Sequence, residues 1–181
     1  MMIASDLHGS AWAAECIRRI FEKEKPERLI LLGDLLYHGP RNPLPRDYAP
    51  AETAQILNGL KDNILAVRGN CESEVDQMVL EFPVMADYMI WYDRHTLIFA
   101  THGHIYNEKT PPLIGAGDIL LHGHTHIPTA EETGTFVCLN PGSAALPKEG
   151  FPPTWMLYDN GRFSILTLDG ESIMSYTLPG N

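Results

Sequence analysis

Apolar runs and amphipathic stretches alternate through the first 80 residues of this 181-residue chain. The short runs predict buried strands, because each spans only a few residues and is almost entirely apolar. The longer stretches between them have apolar residues at helical spacing, and Pro26, Pro50 and Pro83 lie where such helices should begin or end. The pattern predicts strands at residues 1–5, 28–32 and 64–67, and helices at residues 12–25, 50–61 and 72–80.

The second half of the chain is rich in strand-like segments, separated by turn signals such as Asp159-Asn160-Gly161. Together the two halves predict an α/β (α+β) fold in which two stacked mixed β-sheets are flanked by helices. The one long irregular stretch, residues 37–49, contains four Gly or Pro residues and is typical of a functional loop. The predicted strands cover residues 89–92, 96–100, 119–121, 135–139, 155–158, 163–168 and 172–177.

Length and composition indicate one globular domain over residues 1–181, because 44% of the residues are hydrophobic and the chain is short for two cores. No apolar stretch reaches the roughly 18 residues that a membrane span needs, and no secretory signal pattern is present. The three cysteines are widely spaced and form no CxxC pair, which speaks against a disulfide framework or a zinc ribbon. We therefore expect a cytoplasmic protein that does not associate with membranes.

The formal net charge of −10 argues against a protein that binds long nucleic acids, because such surfaces are built from clustered Lys and Arg. Two bound divalent ions would offset only part of this charge. A small phosphorylated substrate is therefore the better expectation.

Candidate metal ligands follow five of the predicted strands, at the positions where open α/β sheets place their ligands. Oxygen donors mixed with imidazole suit Mn²⁺, Fe²⁺, Zn²⁺ or Ni²⁺, and the absence of a thiolate motif argues against a structural zinc site. The segments are Asp6-Leu7-His8, Gly33-Asp34, Gly69-Asn70, Thr101-His102-Gly103-His104 and Gly123-His124-Thr125-His126.

Each of these segments has an ordinary structural explanation when it is taken alone. Asp-x-His, Gly-Asp and Gly-Asn are common in turns, and His122, His124 and His126 fit one solvated face of a strand. What favours a metal site is that all five segments occur in one chain, each at the end of a strand.

The order of these motifs resembles the calcineurin-like metallophosphoesterases, and within them the small bacterial phosphodiesterases of the YfcE type. The motifs run from residue 6 to residue 126, and Asn140-Pro141-Gly142-Ser143 also looks like that family. Residues 38–42, Gly69-Asn70-Cys71 and residues 73–78 look like the YfcE group itself. The resemblance implies an αββα sandwich.

The resemblance also implies a division of the ligands between two divalent ions, with Mn²⁺ favoured. Asp34 would bridge the ions, since two nearby cations need a shared anionic ligand. The expected reaction is hydrolysis of a small phosphodiester by in-line attack of a metal-bridging hydroxide. Asp6, His8 and His126 would hold one ion, and Asn70, His102 and His124 the other.

Other polar residues near the motifs have less defined expected roles. His104 and His122 stay outside the expected ligand set, because one follows His102 by two residues and the other precedes the Gly-His-Thr-His core. His38 and Arg41 are either parts of a solvated loop or contacts to a substrate phosphate, for which the Arg41 guanidinium is well shaped.

Cys71 departs from the broader family, in which His commonly follows Gly-Asn and is often assigned as the general acid. A thiol donates a proton less readily than an imidazolium at neutral pH. We therefore expect a preference for diesters whose leaving groups need little protonation. The alternative is a small buried side chain that fills space beside Asn70.

Two classes of function compete at this point. The favoured one is a divalent-metal phosphodiesterase with Asp34, Asn70 and Cys71 in the catalytic machinery. The other is a noncatalytic scaffold, because the retromer subunit of eukaryotes resembles this fold and serves mainly in protein contacts. Among enzymes, a phosphomonoesterase is the nearer competitor and a nuclease the more distant one. A homo-oligomer is compatible with the sequence.

Overall fold

The computed structural model describes residues 1–180, which form eleven strands and three α-helices. The helices are α1 Ala11–Glu24, α2 Pro50–Asn58 and α3 Glu74–Val79, and a 3₁₀ turn spans Lys61–Asn63. The strands are β1 Met2–Ala4, β2 Leu29–Leu31, β3 Ile64–Ala66, β4 Tyr88–Asp93, β5 Thr96–Thr101, β6 Ile119–Leu121, β7 Thr129–Glu132, β8 Val137–Asn140, β9 Thr154–Asp159, β10 Arg162–Thr167 and β11 Ser172–Thr177.

The strands form two mixed sheets, which confirms the predicted fold class. The first sheet has the order β11-β10-β9-β1-β2-β3, and the second has the order β4-β5-β6-β8-β7. Each sheet contains three neighbouring parallel strands, β1, β2 and β3 in the first and β5, β6 and β8 in the second. The carboxyl ends of these parallel strands are where loops can build a shared site.

Apolar side chains fill the space between the two sheets and the space beneath the helices. Ile3, Ile30 and Phe163 of the first sheet belong to the same buried cluster as Ile98 and Leu121 of the second. The opposite face of the first sheet packs against α1 and α2, and α3 lies beside α2. This layered packing holds the strand ends in fixed positions.

The outer face of the second sheet is covered by an irregular segment, residues 102–118, rather than by a helix. Tyr106 and Ile114 of this segment pack on a buried cluster that contains Phe99 and Leu120. The Pro111-Pro112 pair explains the irregular backbone, since proline disrupts helical hydrogen bonding.

Three elements differ from the sequence-based expectations. The half-exposed strand β7 was not predicted, because Thr129–Glu132 lacks an alternating apolar pattern and forms only by pairing with β8. Helix α2 ends at Asn58, where Gly59 follows. Helix α3 begins at Glu74, so that Glu72 lies in the preceding loop.

Within residues 1–180, none of the helices combines the length and the apolar character that crossing a membrane requires.

Candidate metal centre

The predicted ligand segments meet at one edge of the molecule, at the carboxyl ends of parallel strands from both sheets. Asp6 and His8 follow β1, Asp34 follows β2 and Asn70 follows β3. The remaining three expected ligands follow strands of the second sheet, with His102 after β5 and His124 and His126 after β6.

The first donor group surrounds a point between Asp6, His8 and His126. The His8 Nε2 atom lies 3.1 Å from His126 Nε2 and 3.6 Å from Asp6 Oδ1, and His126 Nε2 lies 3.4 Å from Asp6 Oδ1. Donors that share one cation at about 2.1 Å lie roughly 3.0–3.4 Å apart, so this spacing fits common coordination. All three side chains are buried.

The second donor group contains Asn70, His102 and His124. The His102 Nε2 atom lies 3.1 Å from Asn70 Oδ1 and 3.1 Å from His124 Nδ1. His102 is fully buried, whereas Asn70 is exposed and His124 is half-buried. This group therefore opens more widely to solvent than the first.

Asp34 lies between the two groups. Its Oδ2 atom is 3.7 Å from His8 Nε2, and its Oδ1 atom is 3.5 Å from His102 Nε2. One carboxylate thus presents an oxygen to each group, as a ligand bridging two ions must.

Hydrogen bonds fix the orientation of three of the histidine rings. The Nδ1 atoms of His8, His102 and His126 lie 2.8, 2.7 and 2.6 Å from backbone carbonyl oxygens of Tyr37, Leu32 and Leu146. Because a carbonyl oxygen only accepts, each Nδ1 donates and each neutral ring turns an Nε2 lone pair toward the centre. Lone pairs of His8 and His126 therefore face each other, an arrangement that a cation would stabilise.

Asp6 supplies further support for a cation in the first group. Its Oδ1 atom is buried and has no hydrogen-bond partner among the described residues, whereas Oδ2 accepts from the His124 amide at 3.0 Å. A buried carboxylate oxygen without a partner is costly, and a metal ion would satisfy it. The donor set therefore suits divalent ions.

The pKa shifts of Asp6 and His124 favour the protonation states in which these two side chains bind a metal ion. Burial opposes ionisation of Asp6, yet the neighbouring His126 and His8 rings hold its pKa well below the ordinary value. Burial, with the neighbouring His102, lowers the pKa of His124 to about 4. At neutral pH Asp6 is an anion and the His124 ring is neutral, as metal binding requires.

Left-handed backbone marks five of the seven expected ligands. Asp6, His8, Asp34, His124 and His126 have φ values of 57°, 49°, 54°, 67° and 64°. Such values are uncommon outside glycine and cost of order 1–3 kcal/mol each. Their concentration at this edge of the sheets is typical of a functional site.

Glycines allow the loops of the centre to approach one another. A Cβ atom on Gly69 would lie 2.2 Å from Asp34 Oδ1, and one on Gly123 would lie 2.0 Å from Ser5 Oγ. Both distances are far below van der Waals contact. The glycines of the Gly-Asn and Gly-His-Thr-His motifs are therefore required for close packing of the donors.

Comparison with known proteins places the chain in one family. Residues 1–161 match the calcineurin-like phosphoesterase superfamily domain. The chain belongs to the calcineurin-like phosphoesterase superfamily. This confirms the family that the motif order indicated.

Relatives of this superfamily member cover nearly its whole length. It is 43% identical over 175 residues to the phosphodiesterase YfcE of Escherichia coli, covering 97% of this chain and 95% of YfcE. The solved structure of the E. coli phosphoesterase YfcE superposes with a TM-score of 0.95, 41% identity and 98% coverage of both chains. The structure of vacuolar protein sorting 29 from Cryptosporidium parvum superposes with a TM-score of 0.59 and 20% identity, covering 97% of this chain and 96% of that one. At this identity the likeness shows a shared fold alone.

Glu72 is a residue of this phosphoesterase that the sequence did not single out. Its buried carboxylate accepts hydrogen bonds from the backbone amides of Asp34, Leu35 and Gly69. Burial and the nearby Asp34 charge raise the Glu72 pKa, although the three amides counteract this. Glu72 thus holds the Gly-Asp and Gly-Asn loops together. The sequence did carry a signal for this role, because Glu72 is an acidic residue directly after the Gly69-Asn70-Cys71 motif.

The Asn140-Pro141-Gly142-Ser143 segment connects two further loops of the centre. The Asn140 Nδ2 group donates to Gly123 O at 2.8 Å and to Thr125 Oγ1 at 3.0 Å. The Ser143 hydroxyl donates to Asp6 O at 2.7 Å. The motif therefore fixes the loops that carry Asp6, His124 and His126.

A cavity of about 460 Å³ opens above the donors. Arg41 lines it, as does the exposed Lys148, which the sequence reasoning missed. His38 is not among its lining residues and instead packs edge-on against Tyr37 and Tyr48. The lining residues are Asp34, Gly39, Pro40, Arg41, Asn42, Asn70, Cys71, His124, Thr125, His126 and Lys148.

Cys71 also lines this cavity and contacts the Asp34 carboxylate. Its thiol donates to Asp34 Oδ2 at 3.3 Å, and its amide donates to Asp34 Oδ1 at 2.9 Å. Burial raises the pKa of the thiol, and the Asp34 charge raises it further. Cys71 is therefore a protonated thiol at neutral pH in these surroundings.

The two histidines outside the expected ligand set take different positions. His104 lies near the second donor group, with its ring centroid 5.4 Å from that of His102. His122 points away from it, because its Nε2 atom lies 3.2 Å from Cys138 Sγ.

Replacement of Glu72 tests its part in positioning the centre. In Glu72→Gln one carboxylate oxygen becomes an amide donor that faces backbone N–H groups. We expect the free energy of unfolding to fall by about 1–3 kcal/mol and Mn²⁺ affinity to fall about 10–100-fold. Urea denaturation and titration calorimetry measure these changes. Glu74→Gln, an exposed change nearby, is the control, and equal behaviour of the two variants would contradict the assignment.

Proposed function

We propose that this protein is a phosphodiesterase that uses two divalent metal ions to hydrolyse a small phosphodiester. The observation that carries this proposal is the arrangement of seven donors in two groups that share Asp34. Two-metal hydrolytic sites need such an arrangement, because ions about 3.5–4 Å apart require a shared anionic ligand.

Asp6, His8 and His126 would hold one ion, Asn70, His102 and His124 the other, and Asp34 would bridge them. Mn²⁺ is the favoured metal, because carboxylate, amide and imidazole donors suit it and no thiolate enters the set. When bound, such ions supply an activated water for attack on phosphorus and positive charge for the phosphoryl oxygens.

The chain's own residues would orient the substrate in the cavity. Arg41 and Lys148 are the cationic side chains that line it, and they would bind phosphate oxygens that the metal centre leaves free. Cys71 would lie near the leaving group as a neutral thiol beside Asp34. The protein needs no nucleophilic side chain for this chemistry.

A small diester is favoured over a polymer by charge and by size. The net charge of −10 repels long polyanions, and the 460 Å³ cavity accommodates a compact ligand. The relative with 43% identity is named a phosphodiesterase, which supports a diester over a monoester. We place this activity in the cytoplasm, without a membrane or a long nucleic acid as partner.

Hydrolysis of two aryl substrates tests the proposed activity. Chelator-stripped protein supplied with Mn²⁺ should cleave bis(p-nitrophenyl) phosphate faster than p-nitrophenyl phosphate. Asp34→Asn removes the bridging charge and should lower kcat/KM by about 10³-fold, equivalent to about 4 kcal/mol. Release of p-nitrophenolate is the measurement.

The control is the parent protein without added metal, which should also lose its activity. A preference for the monoester would replace the proposal with a phosphomonoesterase. Metal binding without turnover of either substrate would favour a noncatalytic scaffold.

Arg41 is expected to affect substrate binding more than turnover. Arg41→Ala should raise KM for the diester about tenfold with little change in kcat, since it removes about 1.4 kcal/mol of phosphate binding. Arg41→Lys should recover part of this loss. Arg28→Ala removes an exposed arginine outside the cavity and should match the parent. An unchanged KM in Arg41→Ala would remove Arg41 from the substrate site.

Cys71 is expected to determine how strongly the rate depends on the leaving group. Cys71→His introduces a better proton donor and should flatten the decline of kcat/KM as the leaving-group pKa rises across a series of aryl diesters. Cys71→Ser is the size-matched control and should retain the parent slope or steepen it. Parallel slopes for Cys71→His and the parent would mean that residue 71 takes no part in protonation.

A further inference from the structure

A second cluster of metal-binding side chains lies on the outer face of the second sheet, apart from the seven donors described above. It contains Glu108, His122 and Cys138, whose ligand atoms all lie within 4.8 Å of one another. The Cys138 sulfur is 3.2 Å from His122 Nε2 and 3.0 Å from Glu108 Oε1. Cys138 and His122 are 1% and 3% exposed.

Three different structural elements supply these side chains. Cys138 lies within β8, His122 directly follows β6, and Glu108 comes from the irregular segment 102–118 that covers this face. His122 and Cys138 lie close together because β6 and β8 are neighbouring parallel strands of the sheet. The cluster therefore joins the covering segment to the sheet.

The hydrogen atoms available in the cluster are too few for its acceptors. The His122 Nδ1 atom lies 2.9 Å from Gly123 O, and the two hydrogens of Asn140 Nδ2 have closer partners in Gly123 O and Thr125 Oγ1. Nδ1 therefore donates to Gly123 O, and Nε2 presents a lone pair to Cys138. The single hydrogen of the thiol cannot serve both this lone pair and the Glu108 carboxylate.

A metal ion would satisfy all three groups at once. Cysteine sulfur, imidazole nitrogen and carboxylate oxygen are the donors that tetrahedral Zn²⁺ takes, at about 2.3, 2.0 and 2.0–2.2 Å. Donors at those distances lie roughly 3.5 Å apart, so an expansion of a few tenths of an ångström would accommodate the ion. Glu108 is exposed, so its side chain can adjust and solvent can fill a fourth position.

We propose that Glu108, His122 and Cys138 form a third metal site, selective for Zn²⁺ or a similar thiophilic divalent ion. The seven donors around Asp34, here called the main centre, offer only oxygen and nitrogen and suit Mn²⁺. The thiolate of Cys138 distinguishes the proposed site from them. An ion here would fasten segment 102–118, which begins with His102, to the strand end that leads into His124. The site is structural rather than hydrolytic, and it does not depend on the proposed phosphodiesterase activity.

Cobalt absorption tests this site, because thiolate bound to Co²⁺ gives a charge-transfer band in the near ultraviolet. Chelator-stripped parent protein titrated with Co²⁺ should develop the band, and Cys138→Ser should lose it. Zinc measured by mass spectrometry after desalting should fall by one ion per chain in Cys138→Ser. Cys16→Ser, a change on α1, is the matched control and should retain both signals.

A substitution of Cys71 shows whether the absorption band comes from the proposed site or from the main centre. Cys71 lies beside Asp34, so loss of the band in Cys71→Ser with its retention in Cys138→Ser would assign the thiolate to the main centre and overturn the proposal. Absence of a band in the parent would overturn it too.

A surface variant keeps the test valid if Cys138→Ser fails to fold. Glu108→Gln changes an exposed side chain and should weaken Co²⁺ binding, followed through the charge-transfer band, by about 10-fold or more. Glu52→Gln, an exposed change on α2, is its control. Equal Co²⁺ affinity in Glu108→Gln and Glu52→Gln would exclude Glu108 as a ligand and overturn the proposed site.

Discussion

The structure depends most on how it holds mutually repulsive donors together at one edge of two sheets. Lone pairs of His8 and His126 meet at 3.1 Å, and the Asp6 and Asp34 carboxylates lie beside them in buried surroundings. Without a cation this arrangement is unfavourable, so the rest of the fold must enforce it. Left-handed backbone at five of the donors is one sign of that enforcement.

Backbone hydrogen bonds and buried polar residues behind the donors hold the donors in these positions. Glu72 ties the loops after β2 and β3, while Asn140 and Ser143 tie the loops after β1 and β6. Carbonyl oxygens orient the histidine rings from the side that faces the protein. The chain is therefore preorganised for divalent ions, which keeps the reorganisation needed on binding small.

The apolar surfaces on the two faces of the second sheet are covered in different ways. Its inner face packs on the first sheet, whereas its outer face lies under an irregular segment that also carries Glu108. A segment rich in Pro and Gly lacks the internal hydrogen bonds of a helix, so side-chain anchors matter more for its position. The contacts of Glu108 and His122 with Cys138 form such an anchor.

The sequence alone determined the fold class, most of the strands and the segments of the main centre, because short apolar runs and strand-end motifs are local features. Helix ends shifted by a few residues, and β7 was missed, because its pairing with β8 is a tertiary interaction. Only the tertiary structure decided that Glu72 lies beneath Asp34 and that Lys148 joins Arg41 at the cavity. The same holds for Cys138, which is separated from Glu108 by 30 residues along the chain. Such contacts depend on how the sheets stack, and stacking is set by the packing of many side chains together.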